Sequence, residues 1–173
     1  FATRGNRTAT TISLVFGDDL LEAQLRADVA HQRTSVKVSG YDAHQRERIS
    51  EESGSDEIQS EISGGRTGAA VLQQAFGERV SYRTRTDPIV SGEAKAWAKA
   101  EMLRRARGFV TVSGMTNGTA DMIVGSKLSL DRVGAPFSGD GYYVTRVCHT
   151  YDLIDGFRTH FDAERPTVNE GAA

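Results

Sequence analysis

The chain has 173 residues, 38% of them hydrophobic and 25% charged, with 18 Gly against 3 Pro, which fits one domain of ordinary size and excludes a disordered, collagen-like or disulfide-scaffold class. Lys plus Arg total 21 against 23 Asp plus Glu, a formal charge of −2, so no basic field draws the chain to phosphate backbones and no nucleic-acid partner is expected. The lone cysteine, Cys148, excludes an internal disulfide and a cysteine-built zinc or iron–sulfur site, and no apolar run reaches the roughly 18 residues that span a bilayer, so no membrane insertion is expected.

Because the first residue is Phe1, the sequence reads as a piece of a longer chain. Period-two alternation then marks half-buried strands. Ile12, Leu14 and Phe16 alternate with Thr11 and Ser13. Past a turn at Gly17-Asp18-Asp19, the residues Leu21, Ala23, Leu25, Ala27 and Val29 alternate with Glu22, Gln24, Arg26 and Asp28. Thr34, Val36 and Val38 give a third strand ending at Gly40.

From Asp42 to Arg66 the composition shifts. Glu47, Glu51, Glu52, Asp56, Glu57 and Glu61, several serines and Gly64-Gly65 accompany only Ile49, Ile58 and Ile62 as large aliphatics. So little apolar surface does not offset the entropy of ordering, and a solvated connection is expected, with one fraying helix near Asp42 to Glu52. Ala69 to Phe76 predicts a short helix stopped at Gly77, and Val80, Tyr82 and Thr84 predict a brief extended segment before Asp87-Pro88.

A longer helix is expected from about Gly92 to Arg107. Ser91 is placed to cap it, Glu93 lies in its first turn, Arg104, Arg105 and Arg107 lie in its last, and Gly108 suits a left-handed C-terminal position. Ala96, Trp97, Ala100 and Leu103 form its apolar stripe, with Trp97 as a core anchor and ligand stacking as the alternative.

Strands return at Phe109 to Ser113, Lys127 to Asp131, Gly141 to Tyr151 and Phe157 to Glu164, separated by turns at Asn117-Gly118, Gly139-Asp140-Gly141 and Asp155-Gly156. In the last strand Phe157, Thr159, Phe161 and Ala163 share one face. In the strand before it, Tyr142, Val144, Arg146 and Cys148 oppose Tyr143, Thr145, Val147 and His149, so both faces carry bulk. The expected fold is mainly β with a helical insertion: a small, closed or nearly closed barrel of about seven strands with one packed helix, which hides the sheet edges. Residues 10–166 form that single barrel domain, 43–79 a polar and helical insertion, and 1–9 and 167–173 flexible termini.

Catalytic patterns are not found. No Gly-x-Ser-x-Gly elbow occurs, Cys148 and His149 are adjacent and point to opposite faces of a strand, and His31, His44, His149 and His160 lack metal-site spacing. His149 and His160 are placed to meet across the final hairpin as a polar pair. Gly139-Asp140-Gly141 enters a strand and carries an acid, which suits a turn and not a phosphate cradle. No spacing fixes two carboxylates about a cleft. No catalytic, metal or cofactor residue is expected.

The ordered pieces Asp87-Pro88-Ile89-Val90-Ser91-Gly92-Glu93-Ala94, Phe109-Val110, Gly125-Ser126-Lys127-Leu128-Ser129-Leu130, Phe137-Ser138-Gly139, Gly141 to His149 and Gly156 to Arg165 resemble the phage late control gene D family. That family comprises tail hub proteins of contractile phages, the hub part of type VI secretion spikes and relatives in extracellular injection particles. Phe16-Gly17-Asp18-Asp19-Leu20 and Val36-Lys37-Val38-Ser39-Gly40-Tyr41-Asp42 agree with its first strands. The resemblance implies the second of two barrels in a homotrimeric baseplate hub. Such a hub joins the tail tube to a central spike, is assembled in the bacterial cytoplasm and is carried in the particle. It implies tube, spike and baseplate proteins as partners, with Tyr143, Thr145, His149 and Tyr151 on the strand, and Phe137 and Arg132 on the loop Asp131 to Gly141, as contact residues. A carbohydrate-binding or cell-wall-binding β module and a tail-associated hydrolase are the alternatives.

Overall fold

The structure, a computed structural model, describes residue 4 and residues 10–84 and 90–170. The Asp87-Pro88 break and most of the expected flexible termini (1–3, 5–9 and 171–173) lie outside the described residues. In chain order the elements are β1 (Thr11–Val15), β2 (Leu20–Ala27), β3 (Ser35–Asp42), β4 (Glu47–Gly54), a 3-10 helix (Ser55–Glu61), β5 (Arg66–Thr67), α1 (Gly68–Phe76), β6 (Val80–Thr84), α2 (Ser91–Arg107), β7 (Val110–Asn117), β8 (Lys127–Asp131), β9 (Gly139–Asp152), β10 (Gly156–Arg165) and β11 (Thr167–Val168). The chain is mainly β, as expected. Its eleven described strands form sheets of six, three and two, so about seven strands with one helix was too few. By contacts it divides into two units, Phe1–Ala27 with Glu61–Arg66 and Val110–Ala173, and Asp28–Ser60 with Thr67–Phe109.

The first unit holds the six-stranded sheet, in the order β1-β8-β9-β10-β7-β2. β1 runs parallel to β8, and the other neighbours are antiparallel. β1 and β2 are consecutive in sequence yet lie at opposite edges, and only Phe16 to Asp19 separate them. Those edges therefore converge at this corner, where Phe16 bridges Leu20, Gly17 N donates to Leu20 O (3.0 Å) and Asp18 N donates to Val15 O (3.1 Å). Gly17 turns it with φ 88°, a conformation glycine adopts freely. Thr11 to Ala27 is thus one bent strand that leaves one edge and enters the other, curling the sheet into a half-barrel. Leu14, Leu20, Val112, Leu128, Leu130 and Phe161 are buried in this unit.

In the second unit β3 is the centre of the order β4-β3-β6. The segment expected to be a solvated connection with a fraying helix is instead strand β4, paired with β3 from Asp42↔Glu47 to Ser35↔Gly54. Asp42 accepts from His44 N (2.8 Å) and Gln45 N (3.0 Å) to make the turn. The aliphatics too few for a core of their own serve a shared one: Ile49 and Ile58 are buried, and Ile49 clusters with Val36, Val38, Ala69, Ala94, Ala98 and Met102.

Helix α1 starts at Thr67, whose Oγ1 accepts from Ala70 N (3.2 Å), and stops at Gly77 with φ 72°, as expected. Helix α2 differs in detail. Its N-cap is Val90, whose N–H donates to Glu93 Oε2 (3.4 Å), while Ser91 donates from its hydroxyl to Glu51. Gly108 has φ −83°, outside the left-handed region. The buried stripe is Ala94, Ala98, Met102 and Ala106, and Trp97 is 51% exposed. Small side chains let the helix approach the sheet closely, and Trp97, one residue off that stripe, is carried outward.

Candidate interaction surface

The residues expected to make contacts lie on β9 and on the loop that leads into it. Alternation alone put Tyr143, Thr145, Val147 and His149 on one face. A bulge changes this: β10 pairs Asp162 with Arg146 but Ala163 with Val144, leaving Thr145 as an extra residue. Beyond it the faces exchange. Val147 pairs with buried Phe161 and His149 with buried Thr159, so Val147, His149 and Tyr151 follow Tyr142 and Val144 on one side, and Tyr143, Arg146 and Cys148 lie on the other. The same register pairs His160 with Cys148, so His149 and His160 do not meet as a pair.

Each expected contact residue has its own setting. Tyr143 is half-buried under the Arg4 guanidinium, 4.1 Å from its ring centroid, and Arg4 also pairs with Glu164. Thr145 is exposed and donates to Asp162 O (3.1 Å). His149 Nδ1 lies 2.9 Å from Thr159 Oγ1, and its ring centroid is 5.7 Å from that of Phe157. Phe157 in turn covers Gly118, where a Cβ would stand 1.9 Å from the ring. Tyr151 is 75% exposed. Val144 exchanges backbone hydrogen bonds with the turn at Gly125 and Ser126. Past it, β9 has a strand neighbour on its β10 side alone among the described residues.

Phe137 and Arg132 sit in the loop between β8 and β9. Arg132 is exposed, with φ 59° and its N–H bonded to Asp131 Oδ1 (2.8 Å). Gly134 O accepts from Phe137 N (3.0 Å), Ser138 N (2.9 Å) and Ser138 Oγ (3.0 Å). Arg165, which sequence reading did not single out, holds this loop from inside. It is 2% exposed and donates to the carbonyls of Pro136 (2.8 Å), Ser138 (3.3 Å), Asp140 (3.4 Å) and Thr167 (2.7 Å). Burial pulls its pKa below the usual guanidinium value, and the negative charge of Tyr142, were it ionised, would oppose that pull. Tyr142 donates to Phe137 O (2.7 Å), and burial pushes its pKa up to about 12. Asn169 adds bonds to Ala135 O and Ser138 O. The loop is therefore braced from inside by Arg165, Tyr142 and Asn169.

Among the described residues no group of three or more His, Cys, Asp or Glu is placed to hold a metal ion, and no helix is long and apolar enough to cross a membrane. Phe76 and Tyr82 are also largely exposed, at 60% and 72%.

Residues 3–152 match the family model described as the Alg8 N-terminal domain. No curated protein matches the sequence. Among solved structures, the 43 kDa tail protein of prophage MuSo2 from Shewanella oneidensis superposes with a TM-score of 0.65 at 13% identity, over 95% of this chain and 47% of that one. A tail protein from Neisseria meningitidis MC58 gives 0.60 at 9% identity, over 95% and 46%. A chain in the virion of a native gene transfer agent particle gives 0.50 at 11% identity, over 91% and 32%. The likeness is one of fold, and the chain spans about half the length of the two tail proteins.

Proposed function

Given that the chain belongs to the family described as the Alg8 N-terminal domain, and that it folds like phage tail proteins, we propose that it is a structural component of a phage tail or tail-derived particle. The observation that carries this reading is the match of 95% of the chain to the MuSo2 tail protein. In the finer form it is one part of a homotrimeric baseplate hub that joins the tail tube to a central spike, and it does no chemistry. The ordered motifs that resemble the late control gene D family support that form. Its partners are then further copies of itself and tube, spike and baseplate proteins, met in the bacterial cytoplasm during assembly and retained in the particle.

The rigid loop bearing Arg132 and Phe137 and the strand bearing Tyr143, Thr145, His149 and Tyr151 are the proposed contact surface. Because the bulge puts Tyr143 on one side and His149 and Tyr151 on the other, the two sides serve different neighbours. Light scattering on the isolated chain and immunogold labelling of purified particles test the reading. Trimers, with label confined to the baseplate, support it. A monomer at high concentration with no affinity for tube or spike protein, and no label on particles, refutes it.

A further inference from the structure

The most exposed apolar side chains described are Leu153 and Ile154, at 95% and 94%, at the tip of the β9–β10 hairpin, with Tyr151 beside them. A lone exposed leucine needs no explanation, but three large apolar groups on one projecting turn do. The turn is stiff. Asp152 Oδ1 accepts from Ile154 N (2.7 Å) and Asp155 N (2.6 Å), Gly156 takes φ 72°, and those two amides hold the Asp152 carboxyl below the usual carboxylate range. A preformed knob loses little entropy when it is seated.

The second unit carries a matching hollow. An open groove of about 880 Å³ runs between α1 and the free edge strand β6. Leu72, Val80 and the exposed rings of Phe76 and Tyr82 line it, with the guanidinium groups of Arg33 and Arg79 at its border. Arg33 donates to the carbonyls of Ala30 and Gln32, and neither arginine forms an ion pair among the described residues. Two acids also border the groove: Asp28, which accepts from Ala30 N and pairs with His31, and Glu78. The knob presents aliphatic side chains between two carboxylates, Asp152 and Asp155; the hollow presents aromatic rings with two guanidinium groups, Arg33 and Arg79, and two carboxylates, Asp28 and Glu78, at its border, and of these acids Asp28 is engaged by His31.

We propose that the hairpin tip of one copy, Tyr151 to Asp155, seats in the Phe76–Tyr82 groove of a second copy. The contact is head-to-tail, so each copy gives one knob and receives one, and the association closes into a ring or continues as a filament. Three seated side chains fall well short of the roughly 1,600 Å² of a standard stable interface. The single contact is therefore weak, and it holds through repetition around the assembly. This rests on the reading of the chain as a subunit that binds further copies of itself.

The test uses the full chain carrying Cys148→Ser, in two forms, one with Ile154→Cys and one with Phe76→Cys. Mixed and mildly oxidised, they are expected to give a disulfide-linked heterodimer at least about tenfold above a control mixture of Ile154→Cys with Trp97→Cys. Leu153→Glu with Ile154→Glu, on a tip too exposed to affect folding, is expected to weaken self-association by at least about tenfold in sedimentation. Self-association that is insensitive to these charges, with no excess cross-link, overturns the contact and leaves the subunit reading standing. No self-association by the wild-type chain at any concentration overturns both. Cross-linking of the tip to a different protein of the particle in place of Phe76 also overturns it.

Discussion

The Arg165 guanidinium lies 4.6 Å over the centroid of the Tyr142 ring, and both side chains are buried. Arg165 reaches four backbone carbonyls and Tyr142 a fifth, that of Phe137. Lysine cannot reproduce that fork, because its donors diverge from one point instead of lying in a plane. Arg165→Lys is expected to destabilise the fold by about 2–4 kcal/mol through carbonyls left unpaired, with faster amide exchange at Phe137 and Ser138. Urea denaturation and hydrogen exchange measure both, and an unchanged exchange rate in the loop contradicts the bracing role.

Tyr142 sets an alkaline limit. Its pKa is about 12 when folded and about 10 when unfolded, so above pH 10 the unfolded chain releases a proton that the folded chain keeps. Its contribution is intact below pH 10 and is lost as pH rises towards 12. Tyr142→Phe is expected to lower overall stability through the lost hydrogen bond, yet to flatten this alkaline fall. Denaturant midpoints at pH 8, 10 and 11 for both chains show whether the slope follows the hydroxyl.

Glu101 contributes to the acid limit. It accepts from Arg104 and Arg105 at 2.8–2.9 Å and pairs with Arg83; Arg104 first, and then Arg105, bring its pKa down to about 2 against the opposing pull of burial. A depressed carboxyl contributes stability above its unfolded value, about 4.3, and loses it as pH falls towards 2. Glu101→Gln is expected to cost about 1–3 kcal/mol at pH 7 and little at pH 2. Equal losses at both pH values would place the effect in packing and not in charge.

Gly118 and Phe157 form a steric pair at the base of the hairpin. Gly118→Ala is expected to cost about 1–3 kcal/mol because the ring has to move. Phe157→Ala should absorb most of that cost, so the double variant is expected to be clearly non-additive in a mutant cycle. Additive losses show that the ring is free to swing away.

Ala98, with 0% exposure beneath α2, is the corresponding test of the second unit. Ala98→Leu is expected to cost about 1–3 kcal/mol in thermal unfolding, by forcing the helix off the sheet. Ala100→Leu, at an exposed position of the same helix, is expected to change stability by less than about 0.5 kcal/mol.

Much of the half-barrel was legible in the alternation. β8 runs from Lys127 to Asp131 as expected, and β10 buries the face that carries Thr159, Phe161 and Ala163. Continued by two residues, that same period reaches Arg165, so its burial had a signal that its charge obscured. The side each β9 residue takes was not legible, because a bulge at Thr145 inserts one residue and inverts everything after it, and bulges have no strong local composition. β4 was missed because hairpin pairing with β3 and burial of Ile49 beneath α2 outweigh a run of exposed acids. The stripe through Trp97 is not the buried one, because close helix-to-sheet approach favours the small side chains of Ala94, Ala98 and Ala106 over a large ring.

The bent strand from Thr11 to Ala27 has a mechanical meaning. β1 lies parallel to β8 over five paired residues, Thr11↔Lys127 to Val15↔Asp131. A pull on the chain N-terminal to Thr11, directed along that strand, loads those hydrogen bonds together in shear, whereas a pull across it opens them one at a time. A tether attached there therefore resists tension along the axis of β1 far better than tension at right angles to it.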